Sequence, residues 1–415
     1  MVASPPDGLV LAPLRSTPGS VWLNTENTDR CTPVVGCDHQ GGHHENGIRA
    51  LALASTAACV LASSPAQAAE PYKIYLSMSY IGNDWQAQAA NMVKALAASP
   101  DYADRVDLKV QVAGPNAQKQ IQQINAMVQA GADAIIVYPI SPTALNSAVK
   151  NACDKGVKVI AYDGVIEEPC AYNVHVDQAE WGSVTAEWLA TELGGKGDIV
   201  MVTGVTGTSV DTMRNDAARA VFAKYPDIKV VAEANGMWSQ AVARTELARI
   251  TATHPWDQID GLWMQVGCYT ATSMQSEAGI ADADLLPCAG EGSNGHRIQM
   301  LPAGTEVAGA NGTYRPMGLR SISASSQAYP GAMALKLIVE ALDAKAVEMT
   351  TLLSPGPLTN TEIKLCVDGT WEEMKSGCNA FLPEVVPNPG WYASIYSEQL
   401  PQIGLNAALT GTPEE

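Results

Sequence analysis

Short apolar runs alternate with longer amphipathic stretches along most of the chain. The segment KIYLSMS, residues 73–79, is predicted to be a strand because it is short and largely apolar. After it, apolar side chains recur at the i, i+3, i+4 and i+7 spacing of one helical face, at Ala89, Met92, Val93 and Leu96. The pattern therefore predicts a strand that runs through a short turn into a helix.

This alternation is repeated further along the chain. Strands are predicted at VDLKVQVA, DAIIVYP and VKVIAYD, with helices between them, and the order restarts after Asp177 with strands at DIVMVTG, KVVAEANG, GLWMQV and LLPCAGEG. Alternating strands and helices predict a parallel sheet with helices on both faces, so the fold class is α/β with two such units. Their strand-end loops should face each other, which places a ligand in the cleft between the units.

Composition and charge limit what the molecule binds. Of its 415 residues, 47% are hydrophobic and 16% are charged, which suffices to bury the cores of two domains. The formal net charge is −18, and the sequence contains no basic cluster that offsets it. A field of this sign repels a polyanion, so nucleic acid is not an expected partner.

The N-terminal part of the sequence differs from the remainder. Residues 1–47 are rich in Pro, Gly, Asn and Thr without periodicity, which is typical of a disordered leader or of a start site placed too early. The segment IRALALASTAACVLASSPAQA then combines Arg49, a short apolar run and a small-residue end. This is the pattern of a secretory signal, so residues 1–68 are expected to be removed before Ala69. A lipoprotein signal at Cys59 is the alternative.

Six cysteines follow the signal sequence. They form three neighbouring pairs separated by 17, 20 and 12 residues: Cys153 and Cys170, Cys268 and Cys288, and Cys366 and Cys378. In an oxidising compartment, each pair could close a short loop that stabilises the fold by roughly 3 kcal/mol in the chain-entropy model. Neighbour pairing is predicted because short loops close most easily, and buried free thiols are the alternative.

Some segments are similar to the motifs of enzymes or metal sites, but none of them has the residues that such a motif requires. The segment GVTGTS is glycine-rich but lacks the lysine of a phosphate-binding loop. His175, His254 and His296 are isolated from other ligating residues, so no metal site is predicted among them. The chain contains neither a GxSxG motif nor an acid pair at a diagnostic spacing. No catalytic residue, cofactor or metal is therefore expected, and the protein is not expected to be an enzyme.

Four segments occur in the order LSMSYIGNDW, GADAIIVYPISPTALNSAVKNACDKGVKVIAYD, TGVTGTSVDTMRNDAARAVF and CAGEGSNG. Over about residues 73–345, their order and spacing resemble the periplasmic substrate-binding proteins of sugar ABC importers, specifically the ribose- and xylose-binding group. The resemblance implies a type I fold, with two Rossmann-like lobes joined by a multi-strand hinge. We expect residues 69–177 and about 326–360 to form an N-terminal lobe, and residues 178–325 and about 361–415 to form a C-terminal lobe with a tail closed by a disulfide.

The family's binding pattern, carried over position by position, implies a set of ligand-contacting residues. In the N-terminal lobe, the residues at strand ends and the first turn are Ser77, Asn83, Trp85, Tyr138 and Asp163. In the C-terminal lobe and near the last crossover, they are Arg214, Trp238, Gly267 or Cys268, Glu291, Asn294 and Ser325. Glu291 stands where the family has an aspartate, and Gly267 and Cys268 stand where it has an Asn-Asp pair, so the ligand need not be ribose.

The chemistry of a sugar explains why such residues would converge. Aromatic rings bury the C–H faces of a sugar, while charged and amide groups bind its rim of hydroxyls. Trp85 and Trp238 are the expected aromatic plates, with a core position as the alternative for each. Trp188 and Trp263 are predicted to be core residues because they lie within regular elements. For Arg214 and Asp163, the alternative is a structural pair on the surface.

The tail beyond about residue 345 exceeds the region of resemblance. A turn closed by Cys366 and Cys378 is predicted there, followed by the Pro-rich segment LPEVVPNPGWY, which is expected to wrap the second lobe. Its aromatic residues, Trp371, Trp391 and Tyr392, are predicted to pack and not to bind ligand.

These features indicate a periplasmic, monomeric receptor that binds a sugar or polyol and delivers it to the membrane permease of an ABC importer. Two alternatives stay open, namely a ligand-sensing module for a chemoreceptor or kinase and a receptor for a non-sugar small polar metabolite. A DNA-binding repressor with similar lobes would carry a helix-turn-helix ahead of them, where this chain has its signal sequence.

Overall fold

The computed structural model describes residues 70–414, so the leader and signal sequence predicted for residues 1–68 lie outside it. Strands β1 to β14 are Tyr72–Met78, Val106–Val112, Ala134–Tyr138, Lys158–Tyr162, Tyr172–Val176, Lys196–Thr203, Asp227–Asn235, Gly261–Met264, Cys288–Gly290, Ser321–Ser323, Thr350–Leu353, Leu358–Thr359, Leu365–Cys366 and Ala380–Phe381. Helices α1 to α11 are Asp84–Ala98, Ala117–Gln129, Asn146–Asp154, Gln178–Glu192, Ser209–Phe222, Gln240–Thr251, Cys268–Glu277, Asn294–Met300, Pro330–Leu342, Trp371–Lys375 and Leu405–Thr410. No helix in this range is both long and apolar enough to cross a membrane.

The first lobe is built on a six-stranded sheet in the order β11-β5-β4-β3-β1-β2, in which all neighbouring strands are parallel. Successive side chains of a strand point to opposite faces, and β1 shows this directly. Ile74, Leu76 and Met78 lie in the core formed with α1 and α9, while Tyr75 lies in the core formed with α2 and α3. The sheet is therefore buried on both faces, as its long apolar strands predicted.

The second lobe repeats this arrangement with the strand order β12-β10-β9-β8-β6-β7, in which only β12 is antiparallel to its neighbour. On β6, Ile199 and Met201 pack toward α4 and α5, whereas Val200 and Val202 pack toward α6 and α7. Trp263 is fully buried in the first of these cores, which confirms its predicted core position.

The chain crosses between the lobes after β5, between β10 and α9, and between β11 and β12. The prediction of an α/β fold with two Rossmann-like lobes and a multi-strand hinge is thus confirmed. The boundary expected near residue 360 lies slightly earlier, because β12 at Leu358–Thr359 already pairs within the second sheet.

The tail requires a correction, because residues 361–415 were assigned to the C-terminal lobe alone. Ile363 and Ala380 do pack in that lobe. Further along, α11 packs against α1, and apolar tail residues such as Phe381 and Ile395 complete the core of the N-terminal lobe. The described part of the tail therefore binds both lobes, since α1 exposes an apolar face that the first sheet alone does not cover.

Neighbouring cysteines are joined by disulfides, as predicted. The bonds are Cys153–Cys170, Cys268–Cys288 and Cys366–Cys378. The first connects α3 to the loop before β5, the second connects the start of α7 to β9, and the third closes the turn in the tail. The alternative of buried free thiols is wrong for all six.

Candidate functional site

The turn between β1 and α1 brings the first polar and aromatic groups to the cleft. Asn83 caps α1 by accepting a hydrogen bond from the amide of Gln86, which satisfies one of the free donors at the helix start. Its Nδ2 donates across the cleft to the carbonyl of Trp238, at 3.0 Å. Trp85 follows in the first helical turn, and its Nε1 donates to the carbonyl of Ser326, at 2.9 Å. The turn is therefore tied to the opposite lobe and to the hinge.

Tyr138 and Asp163 come from the carboxyl ends of β3 and β4. The hydroxyl of Tyr138 accepts a hydrogen bond from Gln86, and its ring lies 5.8 Å from that of Trp85, measured between centroids. Asp163 is buried and has a φ of 59°, a conformation that aspartate tolerates better than most residues. Burial raises the pKa of the Asp163 carboxyl, although the charge of Arg214 acts in the opposite direction.

Arg214 is presented by α5 of the second lobe and is only 5% exposed. Its Nε donates to Gln178 and its Nη2 to Ser326, both at 2.7 Å, and its guanidinium lies 4.2 Å from the ring centroid of Trp181. Gly182 permits this stacking, because a Cβ there would lie 2.3 Å from the carbonyl oxygen of Arg214. Burial lowers the pKa of Arg214, while Asp163 acts to raise it. No carboxylate in the described chain lies within 4.0 Å of the guanidinium nitrogens.

Trp238 forms the aromatic side of the second lobe. Its backbone has a φ of 51°, and its Nε1 donates to Gln265 at 2.7 Å. Gln265 in turn donates to Asp211 at 2.9 Å, so the indole is fixed by a chain of buried polar groups. Gly204 is required beside it, since a Cβ there would lie 2.1 Å from the indole nitrogen.

Glu291 lies after β9 and is almost fully buried. Its carboxylate accepts hydrogen bonds from Gln240 at 3.0 Å, from Ser293 at 2.7 Å and from the amides of Gly267 and Tyr269. These amides stand at the N-terminus of α7, where a negative charge is favourable. Glu291 thus anchors the second-lobe loops at the cleft.

These groups line a partly open cavity between the lobes. It is lined by seven of the residues predicted from the sequence: Asn83, Trp85, Tyr138, Asp163, Arg214, Trp238 and Glu291. Aromatic surface, hydrogen-bond donors and carboxylates therefore meet in one cleft, a composition suited to a small polar molecule.

Five predicted residues do not line this cavity. Ser77 is buried and accepts a hydrogen bond from Gln120, and the amide of Gly267 donates to Glu291. Cys268 forms a disulfide with Cys288. Asn294 donates to the Phe381 carbonyl and the Tyr314 hydroxyl, and Ser325 accepts from Arg297. These five side chains or amides have partners within the protein, and their role as ligand contacts stays a prediction.

The sequence reasoning also missed several lining residues. They are Gln86, Trp181, Val210, Gln265, Val266, Ala324, Ser326 and Tyr392. Tyr392 was predicted to pack, and it does pack against two apolar clusters while it also borders the cavity. Trp391 does pack against the first-lobe core, and Trp371 packs against Tyr396. The signal for Trp181 was the adjacent Gly182, a small residue where two helices approach.

Comparison with known proteins then decides the family. Residues 74–346 match the periplasmic binding protein domain, which is well over half of the chain. The chain belongs to the periplasmic binding protein family. This agrees with the resemblance seen in the sequence and with the two-lobed α/β fold. The match ends before the tail, so residues 347–414 add to the family domain.

Individual members of the family show how far the likeness extends. The chain is 34% identical over 165 residues to the xylitol-binding protein of Mycolicibacterium smegmatis, covering 39% of this chain and 47% of that protein. It is 25% identical over 173 residues to the galactofuranose-binding protein YtfQ of Escherichia coli, covering 40% and 53%. This periplasmic binding protein thus spans about half the length of the curated relatives it matches.

Solved structures agree on the fold. An ABC transporter solute-binding protein from Thermobispora bispora superimposes with a TM-score of 0.63 at 22% identity, covering 82% of this chain and 97% of that chain. A galactofuranose-binding protein gives a TM-score of 0.59 at 19% identity, covering 70% and 95%. At such identities the likeness concerns the architecture alone.

Proposed function

We propose that this periplasmic binding protein is an exported receptor that binds a monosaccharide or polyol between its lobes and delivers it to an ABC permease. The observation that carries the proposal is the composition of the cavity, in which three indole rings border the same space as Arg214, Asp163 and Glu291. Indole faces bury C–H surface, while the charged groups bind hydroxyls.

The relatives support the same class of ligand. Similar proteins are named for binding xylitol, galactofuranose, xylose and ribose. The proposed role is binding without chemistry, so the receptor releases its ligand unchanged. A periplasmic location, a monomeric state and a permease partner are part of the proposal, since all three follow from the role of a receptor that shuttles solute to the membrane.

A thermal screen tests the proposal. Purified protein is melted with xylitol, D-xylose, D-ribose, L-arabinose and myo-inositol, and separately with amino acids. A ligand at a hundredfold excess over its dissociation constant stabilises the protein by about 2.7 kcal/mol, which for a chain of this size raises Tm by about 3 to 5 °C. A shift with amino acids alone, or with none of these compounds, would refute the sugar or polyol assignment.

A variant links that shift to the cavity. Asp163→Asn keeps the size of the side chain and tolerates the positive φ, but removes the charge, so the affinity for the compound that binds is expected to fall at least about tenfold. The matched control is Asp154→Asn, which changes an exposed carboxylate paired with Lys150 on the same lobe. Equal affinities of the two variants would place the ligand outside this cavity.

A further inference from the structure

The C-terminal tail contains a short segment, residues 388–394, that is bonded to both lobes; we call it the strap. On the first lobe, the amide of Tyr392 donates to Gln88 at 2.8 Å, and Gln88 donates back to the carbonyl of Tyr392 at 3.0 Å. Asn388 donates to Asp84 of the same helix, at 3.0 Å. The strap is therefore fixed to α1, immediately beyond the turn that carries Trp85.

On the second lobe, the strap is held through its backbone. The amide of Asn294 donates to the carbonyl of Trp391 at 2.6 Å, and the amide of Gly295 donates to that of Pro389 at 2.8 Å. A Cβ at Gly295 would lie 2.6 Å from the Cβ of Pro389, so only glycine allows this approach. The strap thus crosses from one lobe to the other as an additional connection.

A buried cation fixes the end of the strap at the hinge. Arg297 is 1% exposed, and its Nη2 donates to Ser394 of the strap at 2.8 Å and to Ser325 of the hinge at 3.1 Å. Its Nη1 donates to the carbonyl of Asn379 at 2.7 Å. Burial lowers the pKa of Arg297 to about 10. Such a charge is costly to bury unless its donors are satisfied, and here tail and hinge oxygens satisfy them together.

The strap delivers one side chain to the cavity. Fourteen of the fifteen lining residues lie within the family domain, residues 74–346, and Tyr392 is the exception. Its hydroxyl has no hydrogen-bond partner among residues 70–414, and it is not among the polar atoms sealed from solvent. Burial raises the pKa of this hydroxyl well above its usual value, so it stays a neutral donor and acceptor at ordinary pH.

We propose that Tyr392 is a ligand-contacting residue that determines specificity, and that the strap positions it through Gln88. This inference rests on the proposed function, because it assumes that the cavity binds a small polyhydroxylated compound. The free phenol hydroxyl can give and accept one hydrogen bond at the rim of such a ligand. A family member that ends with the domain would lack the Tyr392 hydroxyl. The tail would therefore determine which arrangement of hydroxyl groups on the ligand is preferred.

Titration calorimetry with the same five sugars and polyols tests the inference. Tyr392→Phe removes only the hydroxyl and is expected to weaken the tightest-binding compound about 3- to 10-fold and to change the order of preference among the five. The control is Tyr396→Phe, four residues further along the tail, where the ring packs on Trp371 away from the cavity. That control is expected to match the parent.

The role of Gln88 is tested by Gln88→Met, which keeps the length of the side chain but removes both hydrogen bonds to the strap. It is expected to weaken binding by a similar factor, and the double variant with Tyr392→Phe should lose less than the product of the two factors, because both act on one group. A merely structural role of Gln88 would lower Tm without this non-additivity.

The possible failures are distinguishable. If the parent protein binds none of the five compounds, the proposed function itself is refuted. If the parent binds but Tyr392→Phe and Tyr396→Phe show the same affinity and the same order of preference, the function stands and the inference about Tyr392 is overturned.

Discussion

Replacing Arg214 by methionine removes a buried cation while keeping the length of the side chain and its contact with Trp181. The hydrogen bonds from Arg214 to Gln178 and Ser326, both 2.7 Å, are lost. Hydrogen bonds from a charged group contribute about 1.5 to 3 kcal/mol each. Part of this is offset because the guanidinium no longer has to be desolvated. The variant also leaves the buried oxygens of Gln178 and Ser326 without this donor, and we expect a net loss of about 3 to 5 kcal/mol at neutral pH.

The loss of stability should depend on pH, because Asp163 loses Arg214, whose positive charge lowers the pKa of its carboxyl more than any other group does. Burial already raises the pKa of Asp163 in the folded protein, and Arg214 limits that rise. For a carboxyl with a raised folded pKa, the stabilising contribution is fully present below the unfolded pKa of about 4 and is lost as pH rises through the folded value. In Arg214→Met that folded pKa is higher still. The variant is therefore expected to lose more stability at pH 8 than at pH 4.5.

Scanning fluorimetry of the unliganded parent and variant at both pH values measures the difference in Tm between them. For a chain of this size, the deficit corresponds to a fall in Tm of about 4 to 7 °C at pH 8 and to a visibly smaller fall at pH 4.5. Asp163→Asn in the Arg214→Met background should recover part of the loss at pH 8, since the unpaired charge is gone. Equal deficits at the two pH values, or no recovery in the double variant, would refute the argument.

Two further predictions concern the whole molecule. Ligand is expected to favour the closed arrangement, in which Asn83 donates to the Trp238 carbonyl across the cleft. Small-angle scattering should therefore show a smaller radius of gyration when the protein is saturated with the compound that binds. An unchanged radius of gyration would count against closure. Alkylation under denaturing, non-reducing conditions followed by mass spectrometry should label none of the six cysteines between Cys153 and Cys378, and any label would contradict the pairing.

Much of the scaffold could be predicted because its signals are local. The period of the apolar positions gave the alternation of strands and helices, and close spacing along the chain gave the disulfides. The aromatic turn at Trp85 was recognisable as well, since polar residues and a ring at a strand end are typical of a site. Trp85 is nevertheless also a core residue, because its ring packs within the first lobe while its Nε1 binds the hinge.

The sequence analysis missed lining residues of the cavity where a side chain's position depends on a shift of one residue along the chain or on one long-range contact. Ser325 was predicted to contact ligand, but its neighbour Ser326 is the residue that lines the cavity. In extended backbone, successive side chains point in opposite directions. Ser323 and Ser325 point to Arg297, and Ala324 and Ser326 therefore point to the cleft. Without the direction of β10 in space, the sequence SISASS does not say which set faces the ligand.

Tyr392 could not be predicted for a different reason. It lies in a Pro-rich segment without periodicity, and its position depends on hydrogen bonds to Gln88, 304 residues earlier in the chain. Contacts of that separation leave no trace in a local pattern. The tail was expected to wrap one lobe, whereas the apolar face of α1 recruits it to both.

Several residues at the cleft have an unusual backbone conformation with positive φ. Among residues 70–414, the non-glycine residues with positive φ are Asp163, Met237, Trp238 and Ala344, and the first three lie at or beside the cavity. Such conformations cost about 1 to 3 kcal/mol each and persist only where surrounding contacts hold them. The turn at Met237 and Trp238 is held by the indole bond to Gln265, and it directs the Trp238 carbonyl toward Asn83 of the other lobe. The bond to Gln265 lies within the second lobe, so the anchoring of this turn does not depend on the bond that Asn83 makes across the cleft.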